Sequence, residues 1–379
     1  MELIIEKLKK NRAFLCLECG KCTATCPIST YNRGYSPRRM LAEGLFYDAG
    51  DLMSDRLLWS CLTCRLCSQR CPVDVKYSDY MRDIRAEACR HGQWGNPSHG
   101  GTLLHIMEMT ASPKLRQNRT GWITEDLRIG TKGEVLYFVG CLPYFQDFFS
   151  KDFDFDPVSI AQDTVRILNR LGIEPVVLEN ERCCGHDLYW LGRLEKLDDL
   201  GRLNIKQIEE SGAKMVVTAC PECALVLKNI YPERLGNIGF EVAHISEIIA
   251  RNVDRLKFKN LDMEITFQDP CRLGRYLGVY RQPREALSSI PGLRMYEMRH
   301  SGRGAICCGT TNWMNCDATS HQIQRNRLNE ARATGAKTLV TACPKCQIHL
   351  RCTTCSKEPE KVDIALSDLV NIVASALAD

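Results

Sequence analysis

No stretch of this 379-residue chain comes near the run of about 18 apolar residues that a membrane-spanning helix needs, so no direct membrane span is expected. An excess of one charge sign is also missing. Fifty Lys and Arg against 46 Asp and Glu leave a formal net charge of +4, which argues for a mixed solvated surface and no nucleic-acid partner. The opening segment, Met1 to Lys10, reads as an amphipathic helix start without the apolar core or small-residue cleavage site of a secretory signal. No Gly-x-Gly-x-x-Gly follows a strand and no P-loop is present, so no dinucleotide or nucleotide cradle is expected. What the chain has in plenty is cysteine. Twenty-two of them without an export signal point away from a disulfide framework and toward metal ligands or redox centres in a reducing cytosol. The expected location is cytoplasmic, or peripheral to the membrane through a partner subunit.

Hydrophobic content of 44% and charged content of 25% fit a soluble globular protein, and the length allows two or three domains with full cores. Residues 1–90 hold eight closely spaced cysteines between helical stretches such as Pro37 to Ala49 and Tyr77 to Arg90. Residues 91–134, rich in Gly, Pro, Ser and His, read as a connector, partly helical around Leu103 to Met109. From Val135 the pattern alternates. Val135 to Val139 reads as a strand, Ile160 to Leu171 as a helix stopped by Gly172, and Pro175 to Leu178 as a strand. A helix from Glu195 to Glu210 and a strand from Met215 to Thr218 follow. Such β–α–β alternation implies an α/β fold with parallel sheets covered by helices. The segment from Ser211 to Cys223 then recurs as Thr334 to Cys346, helix end, strand, cysteine turn and new helix in the same order. Internal duplication is the reading, with half-domains at 135–250 and 251–379 and a site between them.

Two runs in the first block carry metal-ligand spacing. Cys16-x2-Cys19-x2-Cys22-x3-Cys26-Pro27 and Cys61-x2-Cys64-x2-Cys67-x3-Cys71-Pro72 are complete runs of the bacterial ferredoxin type. In that arrangement three thiolates hold one cluster and the fourth reaches across to the other. One cubane [4Fe–4S] cluster should therefore take Cys16, Cys19, Cys22 and Cys71, and a second should take Cys61, Cys64, Cys67 and Cys26. Helical sequence between the runs suggests an α-helical ferredoxin domain over residues 1–90. A pair of zinc sites would need neither the three-residue fourth gap nor the proline after it.

The duplicated half carries a second pattern. Its first copy is Cys141, Cys183-Cys184-Gly185 and Cys220-Pro221-Glu222-Cys223. Its second is Cys271, Cys307-Cys308-Gly309 and Cys343-Pro344-Lys345-Cys346. Five thiols exceed the four that a zinc ion or a cubane takes. All fall where parallel strands end, the ligand face of an open α/β sheet. Cys220, Cys223, Cys343 and Cys346 stand where a helix begins, and a helix N-terminus is expected to lower their pKa. A zinc-stabilised scaffold would account for Cys-Pro-x-Cys but leaves the Cys-Cys pairs unexplained.

On these motifs the chain resembles the Cys-Cys-Gly-domain iron–sulfur family, whose best-known members are catalytic subunits of heterodisulfide reductase. The order of ferredoxin block and two Cys-Cys-Gly domains resembles the fused or membrane-linked form. The resemblance implies two noncubane [4Fe–4S] clusters, one on Cys141, Cys183, Cys184, Cys220 and Cys223, the other on Cys271, Cys307, Cys308, Cys343 and Cys346. It implies reductive cleavage of a disulfide, with electrons passing from the cubanes to the noncubane pair and with Cys183, Cys184, Cys307 and Cys308 at the reacting centre. His186, directly after the first motif, is the candidate proton donor, and Arg272 and Arg275 are candidates for an anionic substrate tail. A flavoprotein or membrane electron-donor subunit in a multi-subunit redox complex is the expected partner, because the chain carries clusters only.

Two features pull the other way. In disulfide-cleaving members small residues follow each Cys-Cys-Gly, whereas this chain continues His186-Asp187-Leu188-Tyr189-Trp190 and Thr310-Thr311-Asn312-Trp313. The first resembles related subunits of sulfur-metabolism and benzoyl-coenzyme A reductase complexes. The alternative is thus an electron-transfer subunit that meets no disulfide. Cys89, Cys316, Cys352 and Cys355 are expected to be thiols outside the clusters.

Overall fold

Short helices carry or flank the eight closely spaced cysteines of the first block. The computed structural model describes residues 2–46, 49–309, 312–355 and 362–378. Thr310 and Thr311, singled out after the second Cys-Cys-Gly, and Tyr47 and Asp48, inside the expected helix Pro37 to Ala49, lie outside them. Helix α1 (Glu2–Lys10) leads to α2 (Lys21–Thr25), α3 (Pro27–Tyr31), α4 (Pro37–Phe46), α5 (Ala49–Ser54), α6 (Leu66–Arg70), α7 (Tyr77–Arg90) and α8 (Thr102–Thr110). Cys26 precedes Pro27, whose missing N–H costs nothing at the first position of α3. Helices α2 and α6, which pack on each other, have five residues each, too few to persist without tertiary support.

Both runs bend the same way. Glu18 and Gly20 flank Cys19 with φ of 49° and 75°, and Thr63 and Arg65 flank Cys64 with φ of 46° and 61°. Left-handed backbone on both sides of the middle cysteine curls three thiols toward one point. For the non-glycine residues it costs on the order of 1–2 kcal/mol each, which the surroundings must offset.

The chain divides into two compact units. The first comprises Met1–Glu108, Gly185–Leu197 and Ile306–Arg327; the second comprises Met109–Cys184, Asp198–Ala305 and Leu328–Asp379. The second unit holds every strand of the two sheets. Its elements run β1 (Val135–Tyr137), α9 (Leu142–Phe149) and α10 (Pro157–Arg170); α11 (His186–Trp190) belongs to the first unit, and α12 (Leu194–Glu210) begins there. Then come β2 (Met215–Thr218), α13 (Pro221–Leu225), α14 (Tyr231–Leu235), β3 (Glu241–His244), α15 (Ile245–Arg251), β4 (Met263–Gln268), α16 (Arg281–Ser288) and β5 (Leu293–Tyr296). The chain closes with α17 (Ala318–Arg332), β6 (Thr338–Thr341), α18 (Pro344–Thr354), β7 (Ala365–Asp368) and α19 (Leu369–Ala376).

Both sheets are parallel, in the orders β1-β2-β3 and β5-β4-β6-β7. The fold is α/β, with a helical block ahead of it. The duplication is visible in the register. Leu136 of β1 pairs with Val216, as Thr266 of β4 pairs with Leu339. In the first half the expected strand at Pro175 to Leu178 shrinks to a parallel bridge between Leu136 and Val176, where β5 stands in the second. Pro175 has no N–H to give a ladder, which confines it to a sheet edge. Within this unit α10 packs on α19 and α15 on α16, so helices of one half cover the other.

Candidate metal centres

In the first unit Cys16, Cys19, Cys22 and Cys71 line one cavity together with Cys67, Lys21, Arg38 and Tyr77. Cys19 is exposed and the other three are half-buried. Cys26, Cys61, Cys64 and Cys67 are all buried. Burial pushes the Cys26 thiol up to about 12, helped by the charges of Cys64 and Cys61, and raises Cys67 well above its usual value. Their thiolate forms would repel one another in this dry pocket, and a bound cation offsets that charge, so the residues present fit an iron–sulfur cluster. Backbone N–H groups of Thr63 and Val75 donate to Cys61 Sγ and Cys71 Sγ at 3.3 and 3.4 Å. Tyr77 lines the first cavity and its buried hydroxyl pairs with Tyr35 Oη at 2.8 Å.

The first five-cysteine set lies wholly in the second unit. Cys141 Sγ is 4.0 Å from Cys183 Sγ, and Cys223 Sγ is 3.4 Å from Cys184 Sγ. Gly140 has φ of 69°, and a Cβ there would meet Cys223 Sγ at 3.0 Å, so the position demands glycine twice over. A buried clamp holds this turn. Glu181 Oε2 accepts from Val139 N and Oε1 from Gly140 N, both at 2.8 Å, and Arg119 reaches Glu181 and the Gly140 carbonyl. Burial raises the Glu181 carboxyl to about 7 against the opposing pull of Arg119. In the second half Arg284 grips Asp269 with two bonds of 2.8 and 2.9 Å, two residues before Cys271, and Asp269 accepts from Gly302 N at 2.7 Å. Arg119 sits in what the sequence presents as a featureless connector, so no local pattern marks it.

The two Cys-Pro-x-Cys turns face each other within the second unit. Lys345 Nζ lies 2.6 Å from Glu222 Oε2, both buried, each being the variable residue of its motif. Cys220 is near enough to Cys343 for its charge to act there. His244, ending β3, bonds to Ala219 O at 3.1 Å and to the backbone of Ala342, the residues before Cys220 and Cys343. The variable residues of the two repeats carry opposite charges, but nothing in the sequence brings the two turns together.

The helix starts do not lower the Cys223 and Cys343 thiols. The hydrogen bonds that Cys223 makes to Cys184 and Cys220, then burial, raise its thiol well above its ordinary value. At Cys343 the bond with Cys346 lowers the pKa, but burial and the charges of Cys220 and Glu222 outweigh it and leave about 11. Desolvation and the neighbouring thiols outweigh the helix dipole at these two turns. Cys184 alone of these is lowered, by bonds from Cys183 and Cys223.

The second set is shared out. Cys271 is half-buried and Cys343 and Cys346 are buried in the second unit, while Cys307 and Cys308 are buried in the first. His186 opens α11, is buried, and places Nδ1 2.9 Å from Asp187 Oδ1. Arg272 is buried with its guanidinium 4.6 Å from the Tyr276 ring centroid. Arg275 donates to Ala305 O at 2.6 Å and braces the loop ahead of Cys307. Trp190 and Trp313, each 1% exposed, are packed in the first unit: Trp190 against Tyr189 at 4.9 Å, and Trp313 through its carbonyl on Ser98 N at 2.7 Å. They are core residues of that unit. Cys89 donates to Leu191 O at 3.6 Å, Cys316 and Cys355 are exposed, and Cys352 is half-buried on α18.

Comparison with known proteins finds a separate family match for each cysteine-bearing block. A 4Fe-4S dicluster domain model matches residues 12–75, and a cysteine-rich domain model matches 135–228 and again 265–351. The chain is 29% identical to a subunit of the dihydromethanophenazine:CoB–CoM heterodisulfide reductase of Methanosarcina barkeri, across 96% of this chain and 93% of that protein. It is 25% identical to the EtfAB:quinone oxidoreductase of Syntrophomonas wolfei, across 87% of this chain and 54% of that protein. A crystal structure of a hypothetical protein from Helicobacter pylori matches with a TM-score of 0.60 at 9% identity, over 92% of this chain and 69% of that one, a likeness of fold.

Proposed function

From a chain that belongs to the cysteine-rich-domain iron–sulfur family, with a 4Fe-4S dicluster domain ahead of its two cysteine-rich repeats, we propose a reductase that cleaves a disulfide with electrons received from a partner. It is an iron–sulfur electron-transfer protein related to a subunit of heterodisulfide reductase. The observation that carries the finer reading is the pair of Cys-Pro-x-Cys turns facing each other across the Glu222–Lys345 contact of 2.6 Å. Two half-sites so close suit a substrate with two sulfurs.

Cys16, Cys19, Cys22 and Cys71 would hold one cubane, and Cys26, Cys61, Cys64 and Cys67 the other. Cys141, Cys183, Cys184, Cys220 and Cys223 would hold one noncubane cluster, and Cys271, Cys307, Cys308, Cys343 and Cys346 the second. When bound, the clusters supply one-electron storage and an iron with affinity for sulfur. The S–S bond takes two electrons and two protons and leaves two thiols. The proton donor is His186, whose imidazole Asp187 orients. The reductant is a flavoprotein or membrane electron-donor subunit. Its docking face is the rim of the first cavity, where Leu17 is 64% exposed beside exposed Glu18, Cys19, Lys21 and Arg38. An exposed apolar side chain within a charged rim suits a carrier of complementary charge. No helix among the described residues is long and apolar enough to cross a membrane.

Anaerobic purification should give a brown protein with about sixteen irons per chain, four per cluster. Dye-driven reduction of disulfides should fall to background in Cys183→Ala and in Cys307→Ala, with the ferredoxin-type signals kept. Unchanged turnover in both variants sinks the proposal. A replete protein that reduces no disulfide in any assembly is instead a relay, the alternative reading.

A further inference from the structure

Arg85 projects from α7 into the first unit with 1% of its surface exposed. Its Nε and Nη2 donate to Leu58 O at 3.1 and 2.9 Å, Nη2 also to Cys61 O at 2.9 Å, and Nη1 to Trp190 O at 3.2 Å. The guanidinium stands 5.7 Å from the Trp59 ring centroid. Among the described residues its partners are carbonyl dipoles and no carboxylate. Arg82, three residues earlier on the same helix, pairs with both Asp79 and Asp83. Acids are therefore at hand on α7, yet the more deeply buried cation lacks one. A buried guanidinium without a counter-ion is costly unless negative charge arrives from elsewhere.

The negative charge nearby belongs to thiols. The 2.9 Å bond from Nη2 to the Cys61 carbonyl sets this one cation on the backbone of a proposed cluster ligand. A cluster on four cysteinates has a net negative charge that grows by one on reduction. Burial disfavours that added charge, and the ligands of the second run together with Cys26 are all buried. The ligands of the first cavity are exposed or half-buried. With burial as the only difference, an electron arriving at the exposed site would meet a less favourable site further in.

We infer that Arg85 is a positioning residue for electron flow: its fixed charge beside the Cys61 carbonyl raises the reduction potential of the cluster at Cys26, Cys61, Cys64 and Cys67. The buried site then accepts the electron that a partner delivers at the exposed one. The four bonds to three carbonyls hold the guanidinium where an unpaired cation would otherwise leave for water. This inference rests on the reading that those four cysteines hold a cluster, which the iron count tests by itself.

The test is a potentiometric titration of the full, iron-replete chain followed by electron paramagnetic resonance. Cys19→Ser, which alters the exposed cluster, assigns the two ferredoxin-type signals. Arg85→Gln should shift the midpoint of the buried cluster to more negative potential and leave the exposed one in place, while Arg85→Lys stays near wild type. An unshifted midpoint in replete Arg85→Gln overturns the inference, as does an equal shift in Arg85→Lys, which would mark a packing effect. If Arg85→Gln takes up no iron, the wild type decides. Its buried cluster must be reduced at or above the potential of the exposed one, and a lower midpoint overturns the inference. A wild-type iron count short of two cubanes defeats the underlying cluster assignment instead.

Discussion

His244 shows how much a single residue at a strand end controls. It caps α15 through Ser246 N, receives Glu247 at its own N–H, and ties the backbone before Cys220 to that before Cys343. Burial holds its pKa down to about 4, against the backbone bonds that favour protonation. Between that value and about 6.5 the unfolded chain binds a proton that the folded chain refuses. Stability from this residue is therefore complete above about pH 6.5 and is lost as pH falls toward 4, by about 3 kcal/mol at most. Anaerobic urea melts at pH 7.5 and pH 5 should show a steeper loss for the wild type than for His244→Gln; equal losses would contradict this. The sequence presents His244 only as one of eight histidines, and its role depends on neighbours about 25 and 100 residues away. The tryptophans after the Cys-Cys-Gly motifs teach the converse. Their sequence position set them apart from disulfide-cleaving relatives, and the structure packs both Trp190 and Trp313 in the core of the first unit.

At the scale of elements, the two Cys-Pro-x-Cys turns are fixed by strands β2 and β6 ahead of them and by helices α13 and α18 behind. The strand–turn–helix order was legible because apolar runs, prolines and cysteines follow one another at short range. That Glu222 and Lys345 meet was not, since no local pattern sets the distance between two turns 120 or so residues apart. Breaking a buried ion pair on one side strands a charge. Lys345→Met should destabilise the protein by about 3–5 kcal/mol, and adding Glu222→Met should restore part of the loss. A double-mutant cycle by thermal or urea unfolding checks this. Additive losses would mean that the pair does not couple the turns. The clamps at Glu181–Arg119 and Asp269–Arg284 serve the same end in different ways, so the duplicated halves share topology more than side-chain detail.

Across the whole molecule the two units depend on metal to different degrees. The first relies on five-residue helices and buried thiols, so the free energy of cluster binding is a large part of its folding free energy. The second has two parallel sheets with apolar strands such as Val216, Val217, Leu339 and Val340, which bury without iron. Iron removal under anaerobic chelation should therefore abolish hydrogen-exchange protection across residues 12–75 and spare most of it in β2 and β6. Protection across 12–75 that survives chelation would show that the first unit holds its shape without iron.

The sequence by itself determined the cysteine spacing and the order of blocks. Cysteine spacing acts through local chain geometry, and duplication and β–α alternation repeat along the chain. Only the tertiary structure decided the environment of those ligands. It set which thiols are dry, that desolvation and neighbouring thiols outweigh the helix dipole at Cys223 and Cys343, and that Arg85 stands buried among carbonyls beside Cys61. Burial and Coulomb energies sum over neighbours from distant parts of the chain, so no window of sequence contains them.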